Sequence, residues 1–501
     1  MTEAQVNESF FEGDEYMNVI RQEKYRPSYH FSPKSGWMND PNGMVYYEGR
    51  YHLFYQHHPF GTTWGPMHWG HAVSTDLMNW EEQPIALEPD ELGTIFSGSA
   101  VVDEQDTSGF FGGKPGLVAI FTHHHSLPGT EQVRQCQSLA YSTDSGKTWI
   151  KYTGNPVLED KEYIDFRDPK VFWHKPTEQW VMVLACGQTI RIYHSPNLKE
   201  WTFASEFGHG IGSHDAVWEC PDLFPLYVDE KREQVKWVML VSIGDTPGIR
   251  EGSRTQYFTG EFDGTTFVAD AESEKVRWLD YGRDNYAGVC WSDIPAEDGR
   301  RLFMGWMSNW RYANQTPTER WRGAMSIPRE LVLETRKGTV ALVQRPVREL
   351  EGLRTPVLSL TEPSWEEVRN ALSSLQLDCY ELVAEFATTG DFGFKVRVSD
   401  EQETLVGYTS ATQEVYVDRT RSGRSDFHED FAGKHGASLT ILPDRMDIRI
   451  YVDRSSIEVF FDRGQVAITD LIFPDAEAKG LEIFAAEERV TLFSLELYAL
   501  K

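Results

Sequence analysis

A short phrase that returns four times constrains this chain more than any other feature. STDLMNW at 74–80, STDSGKTW at 142–149, SPNLKEW at 195–201 and the degenerate GEFDGTTF at 260–267 each set Asp, Asn or Gly in a turn leading to an aromatic. Such a turn closes the tight outer hairpin of a sheet, because Asp and Asn bond their own backbone and Gly accepts positive φ. The copies recur at intervals of roughly 50–70 residues, enough for a four-stranded sheet with variable loops. Each interval opens on a polar or acidic cluster and an aromatic, β-branched strand. MVYYEGRYHLFYQ at 44–56 shows this, with a hairpin turned at Glu48-Gly49. GVCWSDIPAEDGRRLFMGWMSN at 288–309 supplies a fifth unit. The expectation is an all-β chain in which residues 31–350 form a five-bladed β-propeller, with a two-sheet sandwich and accidental repeats as the competitor.

After QRPVREL at 344–350 the pattern changes. PSWEEVRNALSSL at 363–375 predicts a short helix capped by Ser364. Alternating runs follow, among them FGFKVRVS, MDIRIYV, SIEVFF and VTLFSLELYAL, each with one dry and one wet face. These predict a C-terminal β-sandwich over 376–501, joined by a linker at 351–375. Residues 1–30 are expected to be an N-terminal arm, polar and partly mobile over its first 25 residues.

Composition removes whole classes of function. Among 501 residues, 77 Asp and Glu outnumber 48 Lys and Arg, for a net charge of −29. That charge repels phosphate backbones and anionic lipid, so neither nucleic acid nor membrane is expected as a partner. There is no apolar run of the length a membrane helix needs. Five scattered cysteines without a Cys-x-x-Cys pair suggest neither a disulfide framework nor a zinc site. The opening MTEAQVNESFFEGDEY is acidic and lacks the apolar segment of a secretory signal. A cytoplasmic location is expected, or a secreted one if a native signal was removed.

Three units of the repeat open on a carboxylate: Asp40 in WMNDPNGMVYY, Asp168 in FRDPKVFW and Glu219 in VWECPDLF. The first strand of each propeller blade lines the central channel, so a shared phase would gather all three in one pocket. Taken singly, Asp40-Pro41-Asn42-Gly43 is a good turn and Arg167-Asp168 a plausible salt-bridged strand entry. Glu219, between Trp218 and Cys220, needs a partner or a proton. Together they suggest glycoside hydrolysis, in which one carboxylate attacks and another protonates the leaving oxygen. Sixteen tryptophans, including Trp37, Trp64, Trp69, Trp218 and Trp306, offer flat faces to sugar rings. Trp80, Trp149 and Trp201 suit core packing better, and Gln56 could reach a hydroxyl. The histidines at 57–58 and 123–125 lack a metal-ligand spacing, and strand alternation sends His123 and His124 to opposite faces. No metal is expected.

YRPSYHFSPKSGWMNDPNG at 25–43, WGPMHWGHAVSTDLMNW at 64–80, TIFSGSAVV at 94–102, FRDPKVFW at 166–173 and WECPDLF at 218–224 resemble the β-fructosidases of glycoside hydrolase family 32. GWMSNWRYANQTPTERWRGAMSIPREL at 305–331 is most similar to the exo-levanase and exo-inulinase branch, and IRIYVDRSSIEVFFDRG at 448–464 extends the likeness. The resemblance implies a propeller followed by a sandwich, retention of configuration, and no metal or organic cofactor. It implies Asp40 as nucleophile, Glu219 as general acid/base and Asp168 as transition-state stabiliser. It assigns Asn39, Gln56, Trp64, Phe96, Ser97, Arg167 and Trp306 to the fructosyl pocket. Asn285, in RDNYA at 283–287, replaces an aromatic usual in relatives, while Asp284 and Tyr286 match. The histidine-rich loop at 122–134 looks particular to this chain and is a candidate for shaping the entrance.

The expected substrates are levan, inulin, fructo-oligosaccharides and sucrose, cut at the non-reducing end. Sucrose-6-phosphate hydrolysis is the nearest rival, yet no Lys or Arg cluster accompanies the shared motifs. Fructosyl transfer is a further option. A non-catalytic fructan-binding protein is a rival of another class, and loss of one carboxylate would have favoured it. The second domain is expected to brace the propeller or to form an interface between copies.

Overall fold

A computed structural model describes residues 23–126, 133–336, 338–439 and 445–501. The polar start of the arm, residues 1–22, and residues 127–132 of the histidine-rich loop lie outside the described residues. Among the described residues, no helix is long and apolar enough to cross a membrane.

The four repeated phrases are four copies of one turn, each joining the third strand of a sheet to the next. Asp76 accepts from the backbone N–H of Met78 and Asn79, Asp144 from Thr148, Asn197 from Lys199 and Glu200, and Asp263 from Thr265 and Thr266. The residue after each, Leu77, Ser145, Leu198 or Gly264, takes a left-handed φ between 61° and 97°. The side chain supplies the hydrogen bonds that make this backbone affordable. Trp80, Trp149 and Trp201 then fold back and donate their indole N–H groups to the carbonyls of Leu77, Gly146 and Leu198. These tryptophans are structural, as expected.

Five strands begin the successive units: β1 (Gly36–Tyr47), β2 (Thr94–Asp103), β3 (Phe166–His174), β4 (Trp218–Val228) and β5 (Tyr286–Cys290). Each forms an antiparallel hairpin with the strand that follows it, and β1 and β2 contact each other, as do β2 and β3, β3 and β4, β4 and β5, and β5 and β1. The five first strands therefore close a ring. Trp321–Arg322 adds to β1 in parallel and ties the last unit to the first.

All five carry a bulge at the same level. The register slips between Met38 and Pro41, Ile95 and Gly98, Arg167 and Lys170, Glu219 and Asp222, and Tyr286 and Val289. Pro or Gly sits at each slip, where Pro has no N–H to offer a ladder and Gly allows close backbone approach. A Cβ on Gly98 would stand 2.1 Å from the Ile120 carbonyl oxygen. Asp168, Cys220 and Ala287 take left-handed φ values of 65°, 45° and 53°. The carboxylates lie inside the strands and do not share one phase, which corrects the sequence expectation. Glu219 is the last paired residue before its bulge, Asp168 the first unpaired residue and Asp40 the second.

Beyond residue 350 two antiparallel sheets pack face to face. One runs Arg354–Thr361, Val490–Leu500, Tyr380–Thr388, Met446–Val452, Ser456–Phe461, Val466–Leu471, and the other Lys434–Ser438, Glu414–Arg421, Glu403–Thr409, Phe392–Val398, Gly480–Ala485. Leu382, Phe386, Ile448 and Leu497 from the first meet Phe394, Val406, Val417 and Leu481 from the second in one core. Helix α1 (Trp365–Ser373) starts in the expected place, with Ser364 and Glu367 in a reciprocal capping box, and buries Val368 and Leu372 in that core. The stretch 351–375, expected as a linker, therefore holds a strand and a helix of this second unit. A bare connection would have left Leu358, Leu360, Trp365 and Val368 without apolar cover.

The two units meet through buried charge. Arg329 donates to Asp280 at 2.9 Å, to Gln344 and Thr469, and to Glu458 of the second unit. Arg419 of the second unit donates to Asp284 at 2.6 Å and to Tyr312. His30, the last residue of the segment expected as an N-terminal arm, is buried between Asp453 and Glu458 at 2.8 Å from each. Burial opposes its charge, but the two carboxylates raise His30 to about 9. A raised imidazole adds stability that is complete below its unfolded value of 6.5 and lost as pH rises through about 9. The thermal midpoint of the parent should therefore fall across that window and that of His30→Gln should fall less; equal slopes in a pH series of melting curves would refute this.

Candidate active site

The bulges give the site its geometry. A regular strand points alternate residues to opposite faces, and an extra residue re-aims the chain, so consecutive side chains can serve one pocket. A cavity of about 320 Å³ opens at the level of the slips, lined by Asn39, Asp40, Gln56, Trp64, Phe96, Ser97, Arg167, Asp168 and Glu219 from the expected set. Beneath it the space narrows to about 10 Å³ among Ser97, Asp168 and Lys170. The buried Lys170, which borders this narrow space, donates to the Cys290 carbonyl and lies 3.5 Å from Asp222.

Asp40 is held at both oxygens. Ser97 donates to Oδ2 at 2.6 Å, and Asn39, itself fixed by the Trp37 indole at 2.7 Å, donates to Oδ1 at 2.9 Å. The Cys220 thiol lies between two carboxylates, 3.4 Å from Asp40 and 3.5 Å from Asp168. Asp168 also accepts the Cys220 backbone N–H at 3.0 Å, and its own N–H donates to Thr122. Glu219 sits higher, its side chain 21% exposed, taking Arg167 Nη2 at 2.9 Å and the Tyr286 hydroxyl. Arg167 reaches Asp165 as well.

Burial governs the protonation of these groups. It pushes Asp168 up to about 7, against the pull of Arg167 and with the charges of Glu219 and Asp40 adding. Burial also raises Asp40, partly offset by the Ser97 hydrogen bond, and Glu219 adds to the rise. The Cys220 thiol is held protonated, by burial first and then by Asp168 and Asp40, which keeps it a donor to them. Arg167 keeps its charge because three carboxylates outweigh the cost of burying it. A carboxylate deep in the pocket, a second at its rim and a cation on the rim carboxylate can attack an electrophilic carbon and protonate a leaving oxygen. Among the described residues, no group of three His, Cys, Asp or Glu side chains is placed to hold a metal ion.

Two positions that the resemblance singled out do not line the pocket. Trp306 is fully buried beneath Trp310, ring centroids 4.9 Å apart, and it is Trp310 that lines the pocket. Asn285 stands away from the pocket, buried against Arg329. The neighbouring Asp284 binds Arg419, so this motif serves the contact with the second unit while Tyr286 serves the site. Sequence reasoning missed Gln135 and Asp165 in the lining, and placed His124 only within a loop at the entrance. Trp310 and Tyr286 lay within quoted motifs and were within reach. His124 and Gln135 become neighbours only through strand pairing.

Residues 30–346 match the glycosyl hydrolases family 32 N-terminal domain and residues 349–499 its C-terminal domain. The chain is 52% identical to a levanase of Bacillus subtilis (strain 168), covering 98% of this chain and 72% of that protein. It is 40% identical to a levanase of Bacillus sp. (strain L7), over 96% of this chain but about half, 52%, of that protein. The crystal structure of exo-inulinase from Aspergillus awamori superimposes with a TM-score of 0.85 at 37% identity, over 96% of this chain and 99% of that one. The chain belongs to glycosyl hydrolase family 32.

Proposed function

We propose that this protein is a retaining, exo-acting β-fructosidase that releases terminal fructose from levan, inulin, fructo-oligosaccharides and sucrose. Its catalytic part is a five-bladed β-propeller, for which the ring of five bulged first strands argues, and the part beyond is a β-sandwich. One observation carries the functional reading. Asp40, Asp168 and Glu219 converge in one pocket that narrows beneath them, a shape that suits a chain end.

In the reaction Asp40 attacks the anomeric carbon of the terminal fructofuranosyl ring while Glu219 gives its proton to the glycosidic oxygen. The bond to the leaving sugar breaks and a fructosyl ester forms on Asp40. Asp168 holds ring hydroxyls as positive charge develops. Glu219 then takes a proton from water, which attacks the same carbon and frees Asp40, so configuration is retained. Ser97 and Asn39 fix the attacking carboxylate, and Arg167 and Tyr286 fix the acid. The levanase and exo-inulinase names of the relatives support fructans as substrates.

With levan and inulin, fructose should be the only early product by chromatography, and Asp40→Asn should abolish it; a ladder of oligosaccharides from the parent protein would overturn exo action. Glu219→Gln should lower turnover on natural fructans about 10²–10⁴-fold, as expected for loss of general acid help. Turnover near that of the parent would remove Glu219 from this role. Because burial raises Asp40 and Asp168, the acid side of the kcat/KM profile should lie above the usual carboxylate range. The charge of Glu219 raises both groups, so the residual activity of Glu219→Gln should lose that limb at lower pH. A limb that does not move would contradict the coupling.

A further inference from the structure

The pairing of Gly116–Ser126 with Val133–Ser142 sets His124 opposite Gln135 at the pocket wall. His124 lies flat on Phe96, ring centroids 4.2 Å apart with 3° between planes, and Phe96 meets Trp64 edge-on at 6.2 Å. Gln135 is oriented from behind. Its Oε1 accepts the Phe166 backbone N–H at 2.7 Å and Arg167 Nη1 at 3.3 Å, which leaves Nε2 to face His124. An amide nitrogen only donates, so Nδ1 of His124, 3.2 Å away, accepts. A neutral imidazole whose Nδ1 accepts carries its hydrogen on Nε2. Burial, then the nearby charge of Arg167, pushes His124 down to about 4, so the ring stays neutral near pH 7.

Position decides which part of a substrate this donor meets. Asn39, Asp40, Ser97 and Asp168 form the deep end, each at most 9% exposed. Trp64, 46% exposed, and the half-buried His124 and Glu219 stand nearer the mouth. The acid must lie over the leaving oxygen, so the groups on its side of the pocket face the sugar that departs. His124 belongs to that side. It is linked through Gln135 to Arg167, and through Arg167 to Glu219.

We propose that His124 is a specificity-determining residue for the leaving group, donating from Nε2–H to a hydroxyl of the departing sugar, with the Phe96–His124 stack setting the wall that this ring packs against. The proposal rests on the fructosidase reading above. It also gives one residue of the histidine-rich segment, expected only to shape the entrance, a defined partner in the substrate.

The test compares leaving groups. Methyl β-D-fructofuranoside departs as methanol, with no sugar hydroxyl for His124 to hold, whereas sucrose and an inulin-type trisaccharide depart as sugars. His124→Phe keeps a flat ring on Phe96 and loses the N–H. It should lower kcat/KM about tenfold on sucrose and the trisaccharide, the size of one net hydrogen bond, and leave the methyl fructoside within about twofold. His124→Gln, which keeps an N–H, should recover part of the loss. Where the phenyl ring does not allow folding, judged by the melting curve, His124→Ala gives the same comparison. An equal loss on all three substrates, or no loss on any, overturns the role of His124. Failure of the parent protein to cleave any of the three overturns the fructosidase reading instead.

Discussion

Strand alternation is the constraint on which this site depends, and five bulges are how the fold escapes it. A regular first strand could offer each pocket only every second residue. A slip at one common level in every strand turns the ring of inner strands into a cup with consecutive residues facing inward. Asn39 beside Asp40, Phe96 beside Ser97 and Arg167 beside Asp168 all line the same cavity for this reason. The left-handed φ of Asp168 and Cys220 is the local strain that such an arrangement requires, and the surrounding ladders hold it in place.

Gathering three carboxylates in a poorly solvated pocket is unfavourable unless charge and hydrogen bonding answer it. Here Arg167 supplies the cation, the Ser97 hydroxyl and the Cys220 thiol donate to Asp40, and Tyr286 donates to Glu219. The compensation is uneven. Glu219, at the rim, has the full ion pair, whereas Asp168 and Asp40 remain shifted upward by burial. Two deep carboxylates and one rim carboxylate therefore have different surroundings, and different surroundings are what separate acid from nucleophile.

The second unit reaches this chemistry at one remove. Arg419 holds Asp284, and two residues later Tyr286 donates to the proposed acid. Arg329, His30, Asp453 and Glu458 form a buried charged seam beside it, so removing one partner leaves another charge buried and uncompensated. Such a seam gives little net stability compared with an apolar one, but it tolerates few alternative registers between the units.

The sequence by itself determined the repeating unit, because turn chemistry is local. In three of the four copies an Asp or Asn two residues after a Ser, followed by an aromatic, closes the same outer hairpin. It likewise determined the cap at Ser364 and the alternating strands of the second unit, and the motifs around Asp40, Asp168 and Glu219 were legible in it. The tertiary structure alone decided what distant segments do to one another. Bulge register placed the three carboxylates at successive positions and not at one phase, since a slip is a property of two paired strands. Side-chain packing put Trp310 on the pocket surface and Trp306 beneath it, a choice that two tryptophans four residues apart leave open. Strand pairing brought Gln135 to His124 and so decided which ring nitrogen carries the hydrogen, because tautomer follows from the partner and not from the residue.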